Sequence, residues 1–418
     1  MSLLPLLLLP LAACAPADPY AAWPAQEDAF PWVHTPEEGL ERWEEVRWET
    51  ETWDPAEDLG QAGNYILKVQ NHRTSAPVES LGHFAAQRAL IPPLGEGARI
   101  SFVGDVMWLG ENWGHFADPV APLLDGDLRV GNLETPTSSA HPTDREDLGL
   151  YDFNAPPELL DGLPLDLLQL NNNHSVDVGE DGLDNTLAEV ADRGLLAVGV
   201  DSFATVDVAG VDVAFLAYTW GLNGKPLPAS HDLHVVPFGH LDEDIDLSGI
   251  EADAAQARGE ADAVVVLVHW GFEYEYYADP HFLRLGRRLV AAGADLVVGT
   301  GPHTAQPAEL CHVNRPEQVP GVGTCSVRSA DGLPRTAAIL YSLGNFDTVQ
   351  PTLPLQAGLV ATVSLGPDVT GLGWEPVVTT TQQGLLTVLP LADMAAVLPE
   401  FAAEEQRLDA HLGAGWKR

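Results

Sequence analysis

The sequence predicts an α/β protein, and two observations carry that prediction. From Arg99 onward, short apolar runs alternate with segments of helical period. Several of those runs end in a small cluster of Asp, Asn, Glu or His, as in open α/β folds, whose ligands gather at the carboxyl ends of the strands. The composition agrees: 418 residues, 45% hydrophobic and 19% charged, can bury a sizeable core and are too apolar for a disordered chain.

The elements follow in order. "MSLLPLLLLPLAACAP" is too short an apolar stretch to span a bilayer. It resembles a bacterial lipoprotein signal, because Leu11-Ala12-Ala13-Cys14 fits the lipobox and makes Cys14 the lipidated residue, although no Lys or Arg precedes the run. The reading is an exported, membrane-anchored envelope protein, otherwise periplasmic or secreted, with residues 1–14 as the signal. Residues 15–97 form an acidic, Trp-rich extension carrying Trp23, Trp32, Trp43, Trp48 and Trp53, with one strand at "NYILKVQ". Large aromatics are mostly buried, so these are expected to pack on the neighbouring domain rather than bind carbohydrate.

The main domain is placed at 98–395. "ARISFVGDVMWLG" is a strand that turns polar at Gly104-Asp105, and "LRVGNLETPTSS" repeats the pattern at Asn132-Leu133-Glu134. "LPLDLLQLNNNH" is the third such unit, and "GEDGLDNTLAEVADRG" reads as a helix closed by a glycine. "GLLAVGV", "VDVAFLAYTW", "ADAVVVLVHWG", "DLVVGTGPH" and "AAILYSLGNF" are further strands, and "PHFLRLGRRLVAAGA" is a helix with a basic face. "GLVATVSLG", "WEPVVTT" and "GLLTVLPL" read as closing strands of a second sheet, and residues 396–418 as a C-terminal helix and tail.

Charge and cysteines set limits. A formal net charge of −41 opposes nucleic acid and anionic lipid head groups. A polyanionic substrate then needs a local basic patch, for which Arg284, Arg287 and Arg288 are available. Cys311 and Cys325 lie in a Pro- and Gly-rich segment of an exported chain, which predicts a disulfide pinning a loop beside the cleft. Closing a loop of about 15 residues contributes roughly 3 kcal/mol in the chain-entropy model.

Asn171-Asn172-Asn173-His174 poses the functional question. A turn accounts for the asparagines, which tolerate left-handed backbone; a site accounts for amides and an imidazole together at a strand end. The surrounding motifs decide for the site. Gly104-Asp105, Asn132-Leu133-Glu134, Asn172-Asn173-His174 with Asp177 and Gly179, His269-Trp270-Gly271 with Glu273-Tyr274, Pro302-His303 with Gln306, and Tyr341 through Phe346 occur in this order. The set resembles the CapA family, named for poly-γ-glutamate capsule biosynthesis, within the calcineurin-like metallophosphatase superfamily.

That resemblance covers roughly residues 99–365 and implies a four-layer sandwich, two mixed sheets face to face with helices outside. It implies metal ligands at Asp105, Glu134, Asn173, His269 and His303, and catalytic roles for His174, Asp105 and Glu273. Asn172, Tyr274, Gln306 and Asn345 are expected to meet substrate, although the backbone pattern also has Asn171 and Asn172 supporting their neighbours, and Asp177 shaping the turn. Two positions depart from the pattern: Met107 stands where a phosphatase keeps a histidine, and Gly301 where the family keeps the first histidine of Gly-x-His-Pro-His. One weakly held divalent ion (Mn, Zn, Fe or Mg) is therefore expected, and Gly301→His is expected to tighten its binding. The implied partners are an extracellular polymer or small-molecule substrate, the membrane through the lipid anchor, and capsule-synthesis membrane proteins. Three readings stay open: a metal-dependent hydrolase of amide or phosphoester bonds in capsule polymer synthesis, processing or export; a catalytically degenerate binding protein; and an exported phosphoesterase unrelated to capsule.

Overall fold

The computed structural model describes residues 18–24 and 78–418, apart from 109, 111–112, 150, 202 and 237–244. Cys14, the strand expected at "NYILKVQ" and Trp32, Trp43, Trp48 and Trp53 lie outside the described residues. Trp23 lies inside them and packs on the main domain, its indole donating to the Pro316 carbonyl at 3.0 Å.

The chain runs through α1 (Val78–Gln87), β1 (Ala98–Val106), β2 (Leu128–Leu133), β3 (Leu167–Gln169), α2 (Gly179–Asp192), β4 (Leu196–Val198), β5 (Ala204–Val208) and β6 (Val211–Thr219). It continues with α3 (Ser248–Glu260), β7 (Ala263–His269), α4 (Pro280–Ala292), β8 (Leu296–Thr300), β9 (Ala305–Val313), β10 (Cys325–Val327), β11 (Arg335–Leu343) and β12 (Asn345–Asp347). The last elements are α5 (Leu353–Gln356), β13 (Ala357–Leu365), β14 (Val369–Gln382), β15 (Leu385–Pro390), α6 (Leu391–Ala395) and α7 (Pro399–Leu408).

Two mixed sheets result. The first has the order β15-β14-β13-β1-β2-β3-β4, with β12 pairing onto the end of β1; the second has the order β10-β9-β11-β8-β7-β6-β5. Strand β7 shows why they stack. Its run of valines suits a pleated surface buried on both faces. Val265 and Leu267 join Ile100, Phe102 and Val130 of the first sheet in an inner core, while Val264, Val266 and Val268 face Ile250 of α3 and Phe282 and Leu289 of α4. On the far side of the first sheet, Val103 and Leu168 pack against Leu183 and Val190 of α2. Three apolar layers between four structural layers match the expected sandwich.

Three expectations change. The closing strands extend the first sheet, because β13 pairs antiparallel with β1 from Ala98↔Leu365 to Val103↔Val360; the second sheet forms from the middle of the chain. The basic face on α4 reduces to Arg284, which is exposed: Arg287 is buried against Glu309, and Arg288 pairs with Glu251 at 2.8 Å. The Cys311–Cys325 disulfide is present, with the two Cα atoms 4.5 Å apart, but it is remote from the cleft. It joins directly paired residues of β9 and β10, and β9 runs away from the site, so Cys311 lies roughly 20 Å along the strand from Ala305.

Both flanking regions pack on this body. His83 of α1 bonds Glu309 of β9, and its other ring nitrogen accepts from Gly323 at 2.8 Å. Leu408, Leu412 and Trp416 fill the inner core beside Trp374.

Candidate metal centre and its histidine pair

The carboxyl ends of parallel strands from both sheets converge at one place. Asp105 is the penultimate residue of β1, Asn132 lies near the end of β2 and Glu134 directly after it, β7 ends on His269, and the turn after β8 delivers His303. Asp105, Glu134, His269 and His303 are all nearly or fully buried. One ligand atom each from Asp105, Glu134 and His303 falls within a span of 4.8 Å. His269 joins them, with Nε2 3.4 Å from Glu134 Oε1 and Nδ1 3.9 Å from Asp105 Oδ1.

Each side chain is held from behind. Asp105 Oδ1 accepts from Asn132 Nδ2 at 2.8 Å, and its Oδ2 accepts from the Gly301 amide at 3.2 Å. His269 Nδ1 lies 3.1 Å from Thr300 Oγ1, and His303 Nδ1 lies 2.9 Å from Asn345 Oδ1. His303 occupies left-handed backbone, φ 57°, and stacks on Tyr274. Glu134 is the exception: neither of its carboxylate oxygens has a hydrogen-bond partner, although both are buried.

The charges follow from this crowding. Burial, reinforced by Asp105, pushes the Glu134 carboxyl well above its usual range. Burial also drives His269 down to about 3, leaving a neutral imidazole, the form that ligates metals. For His303 burial disfavours the cation, but Glu134, Asp105 and Glu273 outweigh it and push the imidazole up to about 10. Asp105 stays below the usual carboxylate range despite burial, because His303, His269 and Asn132 favour its charge. An excess of buried carboxylate with a protonated histidine inside it is what a cation would relieve. The orphaned oxygens of Glu134 and the neutral His269 fit a divalent ion with nitrogen and oxygen ligands.

Beside this cluster stands a second arrangement. His174 Nδ1 lies 2.7 Å from Asp177 Oδ2, the same oxygen that accepts from the Phe153 amide at 2.7 Å. The Phe153 ring packs on the imidazole with centroids 4.6 Å apart. Asp177 thus does more than shape a turn: it fixes the His174 ring and leaves Nε2 as the working nitrogen, 3.5 Å from Asn223 Nδ2. Asn223 Oδ1 also accepts from Asn173 Nδ2 at 3.3 Å.

Residues 99–350 match the family described as bacterial capsule synthesis protein PGA_cap. The chain belongs to that family. A PGA biosynthesis protein CapA of Bacillus subtilis (strain 168) is 29% identical over 269 residues, 59% of this chain and 62% of the relative. A capsule biosynthesis protein CapA of Bacillus anthracis is 30% identical over 192 residues, 43% of this chain and 39% of the relative. A probable polyglutamine synthesis accessory protein of Mycobacterium tuberculosis (strain CDC 1551 / Oshkosh) is 29% identical over 198 residues, 44% of this chain and 52% of the relative. In each case the chain spans less than two thirds of the relative's length.

In this PGA_cap protein several sequence assignments need adjusting. Asn173 belongs to the His174 side through Asn223, and its own Oδ1 is buried without a partner. Asn172 is wholly buried with both ends of its amide in use: Nδ2 donates to Asn132 Oδ1 and the Leu133 carbonyl, and Oδ1 accepts from the His174 amide. It positions the loop and has nothing left for substrate. Asn345 is likewise spent on His303 and the Leu355 carbonyl, and Gln306 donates to the Glu275 carbonyl at 2.8 Å. Tyr274 is fully buried behind His303. Glu273 keeps a partly exposed carboxylate, 3.9 Å from His303 Nε2.

Gly301 is no gap waiting for an imidazole. Its φ is +106°, and a Cβ there would meet the Trp270 carbonyl at 2.7 Å. Sequence reasoning missed Asn132 and Asn223 as site residues. Asn132 lay inside a quoted motif, two residues before Glu134 on the same face of β2; Asn223 carried no signal beyond an Asn-Gly turn.

Proposed function

We propose that this protein works at the cell envelope in the synthesis or processing of a poly-γ-glutamate-type capsule polymer, as a hydrolase that uses one divalent ion. The relatives named for capsule and PGA biosynthesis support the polymer. The observation that carries the chemistry is Glu134, whose two buried, unpartnered oxygens face a neutral His269 and the Asp105–His303 pair. Asp105, Glu134, His269 and His303 would hold the ion. When bound, such an ion supplies a polarised substrate oxygen and a water acidic enough to serve as nucleophile near neutral pH.

The chain's own groups supply the rest. Asp177 accepts a hydrogen bond from His174 Nδ1–H, so the imidazole presents the Nε2 lone pair to the cleft, where it can take a proton from the attacking water and pass it to a leaving amine or alcohol. Phe153 packs on that ring and fixes its plane. Glu273 lies at the partly exposed edge beside His303, where it can accept a proton from solvent or substrate. Met107 supports a single ion rather than a pair: its sulfur accepts from Thr348 Oγ1 at 3.6 Å and is no substitute for an imidazole on a hard or borderline ion.

Metal content of the purified protein, followed by titration with Mn²⁺, Zn²⁺, Fe²⁺ and Mg²⁺, tests the reading. Binding of one ion, with cleavage of a γ-glutamyl oligomer that Glu134→Ala abolishes, is expected. No binding of any of the four ions would overturn it, and rapid hydrolysis of generic phosphodiesters without action on the oligomer would support the unrelated phosphoesterase instead. Anchoring through Cys14 belongs to the same proposal, and Cys14→Ser should release the protein from membranes. Among the described residues no helix is long and apolar enough to cross a membrane.

A further inference from the structure

With Arg287 buried on Glu309 and Arg288 paired with Glu251, α4 keeps Arg284 exposed as a lone cation rather than a basic patch. A chain of net charge −41 must nevertheless admit an anionic substrate if the proposed polymer is correct. A cation placed beside the His174 arrangement is Lys225, one of three lysines in the sequence.

Its position is fixed by a turn. Asn223 and Gly224 are both left-handed, at φ 49° and 72°, and the Lys225 amide closes the turn on the Leu222 carbonyl at 2.8 Å. Asn-Gly is the pair that adopts two such conformations in succession most readily. The turn lays the Asn223 amide against His174 Nε2 and Asn173 and carries Lys225 to the rim two residues later.

There Lys225 Nζ lies 2.8 Å from Asp152 Oδ2, with the lysine side chain 33% exposed. Asp152 precedes Phe153, which touches both His174 and Asp177. The lysine therefore stands on the wall of the His174 pocket. The pair is only partly buried and leaves the lysine accessible to a second acceptor. An ammonium has three donors, so Lys225 can keep Asp152 and take a second carboxylate in the same position.

Resting on the reading of the site as one for a γ-linked glutamate polymer, we propose that Lys225 is a specificity-determining residue, binding the free carboxylate of the substrate residue whose backbone amide lies at His174. The substrate class is then an amide-linked polymer with a carboxylate on each unit, and Asp152 is the internal competitor for the same ammonium.

Calorimetric titration with a short γ-linked glutamate oligomer and with its carboxamide counterpart, the γ-linked glutamine oligomer, tests this on the full-length protein. Wild type should prefer the carboxylate oligomer, and Lys225→Met should weaken that binding by about fivefold or more, as for the loss of a partly solvated charge pair. The carboxamide oligomer should bind both proteins alike, Lys225→Arg should restore the preference, and Asp152→Asn should strengthen it. Lys225→Met binding the carboxylate oligomer as tightly as wild type would overturn the role of Lys225 while leaving the proposed function standing. Wild type binding neither oligomer would overturn the proposed function, and the inference with it. A KM effect with kcat unchanged, on folded protein of unaltered Tm, separates recognition from structural damage.

Discussion

Replacing Glu134 with Gln sets two opposite effects against each other. In the metal-free protein this carboxyl is buried and neither oxygen has a partner. A buried acceptor without a hydrogen bond costs about 1–3 kcal/mol, and Asp105 beside it raises that cost. A carboxamide has the same shape, carries no charge, and brings N–H donors to an environment rich in carboxylate. The chelated variant should therefore melt above chelated wild type, by about 1–1.5 °C for each kcal/mol recovered. With metal present the order reverses. An ion at a hundred times its Kd stabilises the wild type by about 2.7 kcal/mol, and the variant, lacking an anionic ligand, loses most of that gain. Calorimetry of both proteins, stripped with chelator and then titrated with MnCl₂ or ZnCl₂, should show melting curves that cross as metal is added. A chelated variant that melts lower than wild type, with an undiminished metal-induced shift, would show that Glu134 is neither strained without the ion nor a ligand to it.

Asp177→Asn should preserve the fold yet lower kcat on a cleavable γ-glutamyl substrate by about 10²-fold or more, since the amide permits the wrong His174 tautomer; a pH–rate profile of unchanged shape and height would refute the assignment. Gly301→His should lower Tm and fail to tighten metal binding, because the left-handed backbone and the Trp270 carbonyl leave no room for a Cβ; a metal titration decides between this outcome and a restored ligand. Glu309→Gln should destabilise by about 3–5 kcal/mol, because it removes the carboxylate charge that faces the buried Arg287 guanidinium. Although burial opposes its charge, Arg287 and His83 hold Glu309 far below the ordinary glutamate range. Its contribution is therefore full above pH 4.5 and lost as pH falls further, so denaturant titrations should show a shallower loss of stability below pH 4.5 in Glu309→Gln than in wild type.

How much of this was legible depends on where each interaction is made. The strand ends that carry Asp105, Glu134, His269 and His303 were visible locally, as polar clusters closing clean apolar runs, whereas their reading as one ligand set came from the family resemblance. Asn132 was hidden by looking like motif scaffolding, and Asp177 by looking like a turn residue. Asn223 meets His174 from 49 positions away, and His83 meets Glu309 from 226 away. Such pairs leave no periodic trace. Arg287 was misread for the same reason: an arginine on an amphipathic helix signals a solvated face unless a distant acid is known to lie beneath it. The closing strands were legible as strands but not by sheet, since that choice rests on β13 finding β1 across the whole domain.

The candidate ligands come in two sets: Asp105 and Glu134 ride on the first sheet, His269 and His303 on the second. The backbone itself crosses between them here, from β11 through Gly344 into β12, where Asn345 pairs with Asp105. An ion seated there would act as a rivet between them, and its affinity would gauge how well the halves are aligned. Small sliding of one slab over the other, as from trimming Phe102 or Leu267 in the shared interior, would pull the two half-sites out of register. Such a change would surface first as weakened ion binding, in a molecule whose strands and helices are all still in place.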